Sequence, residues 1–449
     1  WDRKLENIFE IQDEISLLIA DKLREQFGHF EIGEHLVDRQ TDSLTVYDYA
    51  LQARYYFNQW NPEDVRKAID LYEQAVALDP QHTESHVGLA DAYGFMATTE
   101  FMPRAEAWQK AAMHTHQAYA LNPNNAGVHY QLANLAFFTQ ADFAAAFRHA
   151  VRSVELRPSY PEGQQFMAFL YILMLDMERA QIHLERALGI DPLSPETRFY
   201  QAYYEYRSFD FQGALETLSR LLAQNPKNIP AVIVQQYCLL KLGQTDQVLQ
   251  NLDAMPQDIV MPDESLGLRC LAFIGQQATT DIEATLAQLQ ERALDPSAFQ
   301  AHSYLFLAYA GLEQIDEAFD WLEQAFGMKS AILLLAFTDP LVASLREDAR
   351  YGQFLENMYQ LEAQQSVQST TKAPLLEETT AVQHTAALKV FMEEERPYLD
   401  PGLSLRSLAA RVQIHPNQLS WLLNNRLQQN FNEFVNSYRI AQFKQLALD

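Results

Sequence analysis

The sequence predicts an all-α chain: a solenoid of about eight stacked helix pairs followed by a small helix-turn-helix bundle. Three observations carry this. Prolines preceded by an acidic, amide or basic residue recur at positions 80, 123, 158, 192, 226 and 296, with spacings of 43, 35, 34, 34 and 70, the last equal to two units. Small residues stand five and twelve positions before several of them: Ala75 and Ala68, Ala118 and Ala111, Ala187 and Ala180. Small side chains there let two helices pack closely, and the proline then blocks helix continuation. Finally, beyond residue 382 the repeat gives way to short helix signals separated by Pro and Gly.

Composition sets limits. The 449 residues include 33 Lys and Arg against 59 Asp and Glu, a net charge of −26, so the chain as a whole repels phosphate backbones. With 48% hydrophobic and 20% charged residues it has globular rather than disordered composition. Two cysteines, Cys238 and Cys270, fit a reducing, cytoplasmic setting and small core positions. The longest apolar runs, Phe166–Leu175 and Ala331–Phe337, are short of a membrane span. No Gly-rich phosphate loop, nucleophile elbow or supported carboxylate pair occurs, so neither catalysis nor a cofactor is expected. Acidic residues on the repeat helices are expected on solvated faces.

Taken in order, residues 1–43 read as an amphipathic helix, with Ile8, Ile11, Ile15, Leu18, Ile19 and Leu23 at helical spacing, and a trailing strand. The wording Trp1-Asp-Arg-Lys-Leu-Glu-Asn-Ile-Phe-Glu-Ile-Gln-Asp-Glu-Ile15 is similar to the junction before repeats in bacterial adenylate-cyclase-like and TolB/FlgO-like signalling proteins. That resemblance implies a further domain upstream of Trp1. Residues 44–330 hold the repeats. Ala68-Ile-Asp-Leu-Tyr-Glu-Gln-Ala75-Val-Ala-Leu-Asp-Pro80 and Ala180-Gln-Ile-His-Leu-Glu-Arg-Ala187-Leu-Gly-Ile-Asp-Pro192 resemble the tetratricopeptide repeat, a 34-residue helix–turn–helix unit. Eight units end near Pro80, Pro123, Pro158, Pro192, Pro226, Pro256, Pro296 and Ser330. The first two carry longer inter-helix loops, around Asn58–Asp64 and Thr98–Glu106, and the sixth is short. Residues 331–362 supply capping helices, which a stacked array needs at its end; Thr338–Leu355 resembles the closing segment after such repeats. Residues 363–382, rich in Ser, Thr and Gln, form a linker.

Residues 383–449 are the last region, with seven basic and six acidic residues. Ser404 is placed to cap a short helix over 405–412, Gln413-Ile414-His415 makes the turn, and Pro416 opens a second helix through Leu427. The stretch Leu403-Ser-Leu-Arg-Ser-Leu-Ala-Ala-Arg-Val-Gln-Ile-His-Pro-Asn-Gln-Leu-Ser-Trp-Leu-Leu-Asn-Asn-Arg426, with Asn430-Phe-Asn-Glu-Phe-Val-Asn-Ser-Tyr-Arg439-Ile, resembles the AraC-type transcription-factor domain. The resemblance implies that the second helix reads the major groove. Asn417, Ser420 and Trp421 would face base edges, and Gln418, Asn424, Asn425 and Arg426 would lie near the backbone or flank the groove. Trp421 packs either on thymine methyls or on the neighbouring helix. Gln428 and Phe443 stand where the family favours Gly and Ala. That domain carries two helix-turn-helix units, and the chain stops at Asp449 inside the connecting helix, so half a reader is expected to bind DNA poorly.

By repeat position, the concave groove is expected to show Gln131, Leu135, Phe138, Gln165, Phe169, Phe199, Tyr203, Tyr206, Tyr237 and Phe273. These either receive an apolar peptide or amphipathic helix, one of the chain's own ends included, or pack against neighbouring helices. His82 and His86 have helical spacing around Glu84 but not the order of zinc proteases, and no metal site is expected. His114 and His116 point to different helix faces. The combined expectation is a regulator: a solenoid that binds a protein or peptide and alters the dimerisation or exposure of a DNA reader. The alternative is a tetratricopeptide scaffold in a signalling protein, of the adenylate-cyclase-associated kind or another, that does not bind DNA.

Overall fold

The structure is a computed structural model that describes residues 41, 43–255, 260–359, 378–400, 402–427 and 431–446. The expected helix and strand of residues 1–38, most of the linker, and the side chains of Asn417, Asn424 and Asn425 lie outside the described residues. The chain divides into two compact units, one within residues 40–367 and one containing 378–446.

Eight helix pairs build the first unit: α1 (Leu44–Phe57) with α2 (Pro62–Leu78), α3 (Thr83–Thr98) with α4 (Arg104–Leu121), α5 (Ala126–Gln140) with α6 (Phe143–Leu156), and α7 (Pro161–Leu173) with α8 (Met177–Ile190). They continue as α9 (Pro195–Arg207) with α10 (Phe211–Gln224), α11 (Ile229–Lys241) with α12 (Thr245–Ala254), α13 (Pro262–Gln276) with α14 (Thr279–Arg292), and α15 (Phe299–Gly311) with α16 (Ile315–Gly327). The alanines read from the repeat are all buried where paired helices meet, among them Ala68, Ala75, Ala111, Ala118, Ala180 and Ala187. Cys238 and Cys270 are buried in α11 and α13, and burial pushes the Cys238 thiol up to about 12.

Each pair turns on one residue in the left-handed region: Trp60, Glu100, Ala141, Leu175, Phe209, Gly243, Gln277 and Glu313. Only one is glycine. A side chain at positive φ costs about 1–2 kcal/mol, so tertiary packing holds these turns rather than local preference. In several units the next residue caps the second helix. Asn61, Asp142, Asp176 and Asp210 accept from the backbone N–H of Asp64, Ala145, Arg179 and Gly213, satisfying an otherwise orphaned donor.

The opposite turn, after each second helix, has its own device. The residue six positions past the proline reaches back to the proline carbonyl: His86 to Pro80, His129 to Pro123, Gln164 to Pro158 and Arg198 to Pro192, at 2.8–3.1 Å. His86 Nδ1 then meets His114 Nδ1 at 3.0 Å, and His129 Nδ1 meets His149 Nδ1 at 3.1 Å. In unit four Gln164 Oε1 takes the same place against His183 Nδ1. With His86 neutral and donating through Nε2 to a carbonyl, its Nδ1 accepts and His114 donates. The pair shares one N–H between the two Nδ1 atoms, and protonating both rings would point two N–H groups at each other.

Burial, then neighbouring charge, holds these rings below the ordinary imidazole value. His114 falls to about 4, with His86 and Lys110 beside it, and His183 to about 4, with Arg186 and Arg179 beside it. His86, His129 and His149 are lowered too. A folded state that refuses protons loses stability as pH falls through about 6.5 toward 4. H86Q/H129Q copies the Gln164 arrangement and removes the conflict. Between pH 7 and 5 it should lose ~1 kcal/mol less unfolding free energy than the parent, allowing for solvent screening. Urea midpoints at the two pH values measure this, and equal losses would reject it.

The concave face of the solenoid is closed. Ile229 N–H donates to Trp60 O at 3.2 Å, Asn225 Nδ2 to Gln59 O at 2.5 Å, and Gln300 Nε2 to Thr98 O at 3.4 Å. Arg104 donates to Phe138 O and lies 4.1 Å from the Phe299 ring centroid. The two long inter-helix loops of units one and two thus reach units six and eight. The closing segment enters from the other side as α17 (Leu333–Ala336), a 3-10 stretch Pro340–Glu347 and α18 (Arg350–Tyr359). Thr338 donates to Leu173 O at 3.0 Å, Tyr206 to Asp339 at 2.6 Å and Lys241 to Pro340 O at 3.1 Å.

The second unit has α19 (Glu378–Glu394), a 3-10 turn Pro397–Leu399, α20 (Leu405–Arg411), α21 (Pro416–Arg426) and α22 (Phe431–Leu446). The helix α19 begins inside the stretch read as linker. Its core gathers Leu388, Met392, Leu408, Leu419, Leu422 and Phe434 with their neighbours. Among the described residues there is no strand, and no helix is long and apolar enough to cross a membrane.

Candidate functional site

The loops and the closing segment leave a cavity of about 300 Å³ inside the first unit. Six residues of the expected groove line it: Gln131, Phe138, Phe169, Phe199, Tyr203 and Tyr237. The other four stand elsewhere. Leu135 is buried in the core, and Gln165 is buried with its amide donating to Thr197 at 2.8 Å. Tyr206 is fully buried and donates to Asp339, while Phe273 is half-buried in α13 away from the cavity. The chain's own turns and closing segment narrow the groove.

Several lining residues had no sequence signal. Trp60 comes from the first inter-helix turn and stands edge-on to Phe199 and Tyr200, at 5.5 and 6.2 Å between centroids. Trp108 stacks on Phe138 at 5.8 Å. Asp91 in α3 and Glu264 in α13, acids expected on solvated faces, line the cavity instead. Burial raises both carboxyls to about 7. Tyr130 donates to Asp91 at 3.4 Å, and Tyr304 donates to Glu264. Glu196, close by, is also raised by burial, while Arg54 is engaged with Glu162 at 2.6 Å.

In the second unit, α20 and α21 pack across the turn at Gln413, whose φ is 55°. Ser404 and Ser407 form a reciprocal capping box at the start of α20. Arg439 donates to Tyr398 O at 2.8 Å and Asp400 O at 3.1 Å, tying α22 to the 3-10 turn. Asn417, Gln418, Ser420, Trp421, Asn424, Asn425 and Arg426 all belong to α21. Gln418 and Ser420 are half-buried, and Arg426 is exposed. Trp421 is half-buried against the core of this unit, which is the packing alternative for that ring. His82 bonds Ser85 at 2.7 Å while His86 faces His114, so the two do not converge; no metal-holding cluster occurs among the described residues. The sequence carried no signal for the His86–His114 pairing.

No family model and no curated protein matches the chain. Among solved structures it is similar to a tetratricopeptide repeat protein from Parabacteroides merdae, at 12% identity over 55% of this chain and 92% of that one, TM-score 0.36. It is similar also to yeast Tom70, at 15% identity over 80% and 75%, TM-score 0.33. The fold is an all-α helical-repeat solenoid.

Proposed function

We propose that the chain belongs to a bacterial transcriptional regulator. Its solenoid receives a protein or peptide signal, and its C-terminal helices form an AraC-like reader whose dimerisation or exposure the signal changes. The observation that supports this is the separately cored second unit, with two short helices at a tight turn and the residues expected to meet DNA gathered on α21. A helix held in this way presents one face to a groove, and amide and guanidinium groups suit base edges and phosphates.

The test is DNA retention across a salt series by the polypeptide encoded in the full reading frame. Affinity should fall steeply with salt, by a log–log slope of about 0.9 for each phosphate contact. Arg426→Ala should weaken binding about tenfold and flatten that slope. Binding that is absent, or indifferent to salt and to Arg426→Ala, would leave a scaffold that does not touch DNA.

A further inference from the structure

The cavity wall is chemically one-sided. Thirteen of its side chains are aromatic and three are carboxylic acids, Asp91, Glu264 and Asp339; among the described lining residues none is Lys, Arg or His. Asp339 is matched from behind by Arg207, 3.9 Å away. Asp91 and Glu264 meet tyrosine hydroxyls, and neither makes an ion pair among the described residues. The cations nearby are engaged: Arg54 on Glu162, Arg292 on Asp263, Arg207 on Thr338 and Asp339 with the Tyr203 ring 5.5 Å away, and Arg104 on Phe138 O with the Trp108 ring 6.0 Å away. Trp60 and Trp108, each about nine-tenths buried, carry indole N–H groups that no described atom accepts. Half-buried carboxyls without an ion-pair partner and ring faces beside them are the two elements that recognise an organic cation.

We propose that this cavity binds a compact organic cation, a protonated or quaternary amine on an apolar body, between the aromatic faces and the carboxylates of Asp91 and Glu264. Ring quadrupoles attract the charge most strongly where water is excluded. A neutral ligand of the same shape gains the rings but leaves the acids unmatched, and an anion is repelled by them. The volume lies at the small end for ligand pockets, which limits the guest to about a single ring with a short chain.

Proton linkage adds a second signature. Burial holds both carboxyls near 7, so a cation that ionises them releases protons. Affinity for a quaternary amine therefore rises from pH 6 to 8. Around Asp91 stand Arg54, Glu162, Glu196 and Tyr130; around Glu264 stand Glu100, Asp263, Tyr237 and Tyr304. Glu162 at Asp91, and Glu100 and Asp263 at Glu264, oppose ionisation, while Arg54 assists it at Asp91; the third acid of the wall, Asp339, is already faced by Arg207.

Three probes share one body: 3-phenylpropylamine, 3-phenylpropanol and 3-phenylpropanoate. Calorimetric titration at pH 7.5 should show the amine binding about tenfold or more tightly than the alcohol, with the propanoate not bound. D91N/E264Q should bring the amine down to the alcohol while leaving the alcohol's affinity unchanged. Asp91→Asn and Glu264→Gln singly give the same answer in smaller steps if the double variant does not fold, as checked by circular dichroism. Equal binding of amine and alcohol, binding of the propanoate, no binding of any probe, or amine binding indifferent to these variants would each overturn the proposal; the last would mark attraction to the acidic surface. No DNA enters the measurement, so it succeeds or fails apart from the regulatory reading.

Discussion

Arg207→Ala should lower the unfolding free energy by about 3–5 kcal/mol, the cost of leaving a buried charge without its partner. The guanidinium is buried at the end of α9. It donates to Tyr203 Oη at 2.8 Å, Leu335 O at 3.3 Å and Thr338 Oγ1 at 2.5 Å, with Asp339 3.9 Å away. Asp339 also accepts from Tyr206 and from Leu341 N–H. Burial pushes its carboxyl up and Arg207 pulls it down. Without the arginine, Asp339 must take a proton or stay charged in an apolar setting, and the closing segment loses the bonds of Leu335 and Thr338 to the fifth unit. Urea unfolding followed by far-ultraviolet circular dichroism measures the loss. Adding Asp339→Asn should recover part of it, because the stranded charge is then gone. A loss below about 1 kcal/mol would mean that water replaces the arginine.

Gly267→Ala should cost about 3 kcal/mol by overpacking. A Cβ there would lie 1.9 Å from Cγ of Tyr304 and 2.3–2.4 Å from its two Cδ atoms. The ring cannot step aside: Tyr304 is fully buried, and its hydroxyl is tied to Glu264 and, at 3.0 Å, to Tyr237. Gly189→Ala in α8 is the contrast, since nothing lies within 4 Å of its Cβ and alanine is the better helix residue. That variant should gain about 0.5–1 kcal/mol. Thermal unfolding of the two should move in opposite directions; a shared direction would rule out the contact with Tyr304.

What was legible in the sequence was local. A proline and two alanines at fixed offsets report on one turn and one helix pair, and the structure has eight such pairs. The left-handed turns were not legible, because seven of the eight carry a side chain, three of them the bulky Trp60, Leu175 and Phe209, where glycine would have been the signal. The cavity was half legible. Repeat position located Phe138, Phe169 and Tyr203 on its wall, but Trp60 arrives there from an inter-helix turn, and Asp91 and Glu264 from helices far apart in the chain. No spacing rule encodes that convergence, and an acid on a helix face reads as solvated until another helix closes over it. His114 was silent for a similar reason: its partner is 28 residues back.

The bonds that close the concave face change the statistics of the molecule. A stack of repeats that touch only their neighbours behaves as a linear chain of coupled elements and can fray from either end. Here a contact separated by 166 residues joins Gln59 to Asn225, and one separated by 202 joins Thr98 to Gln300. The array is thereby circular in its couplings: loosening the first pair withdraws support from the sixth, and loosening the second withdraws it from the eighth. Folding inherits a late step, since closure entropy has to be met before these distant contacts can contribute. A repeat protein of this shape trades independent units for a single cooperative body.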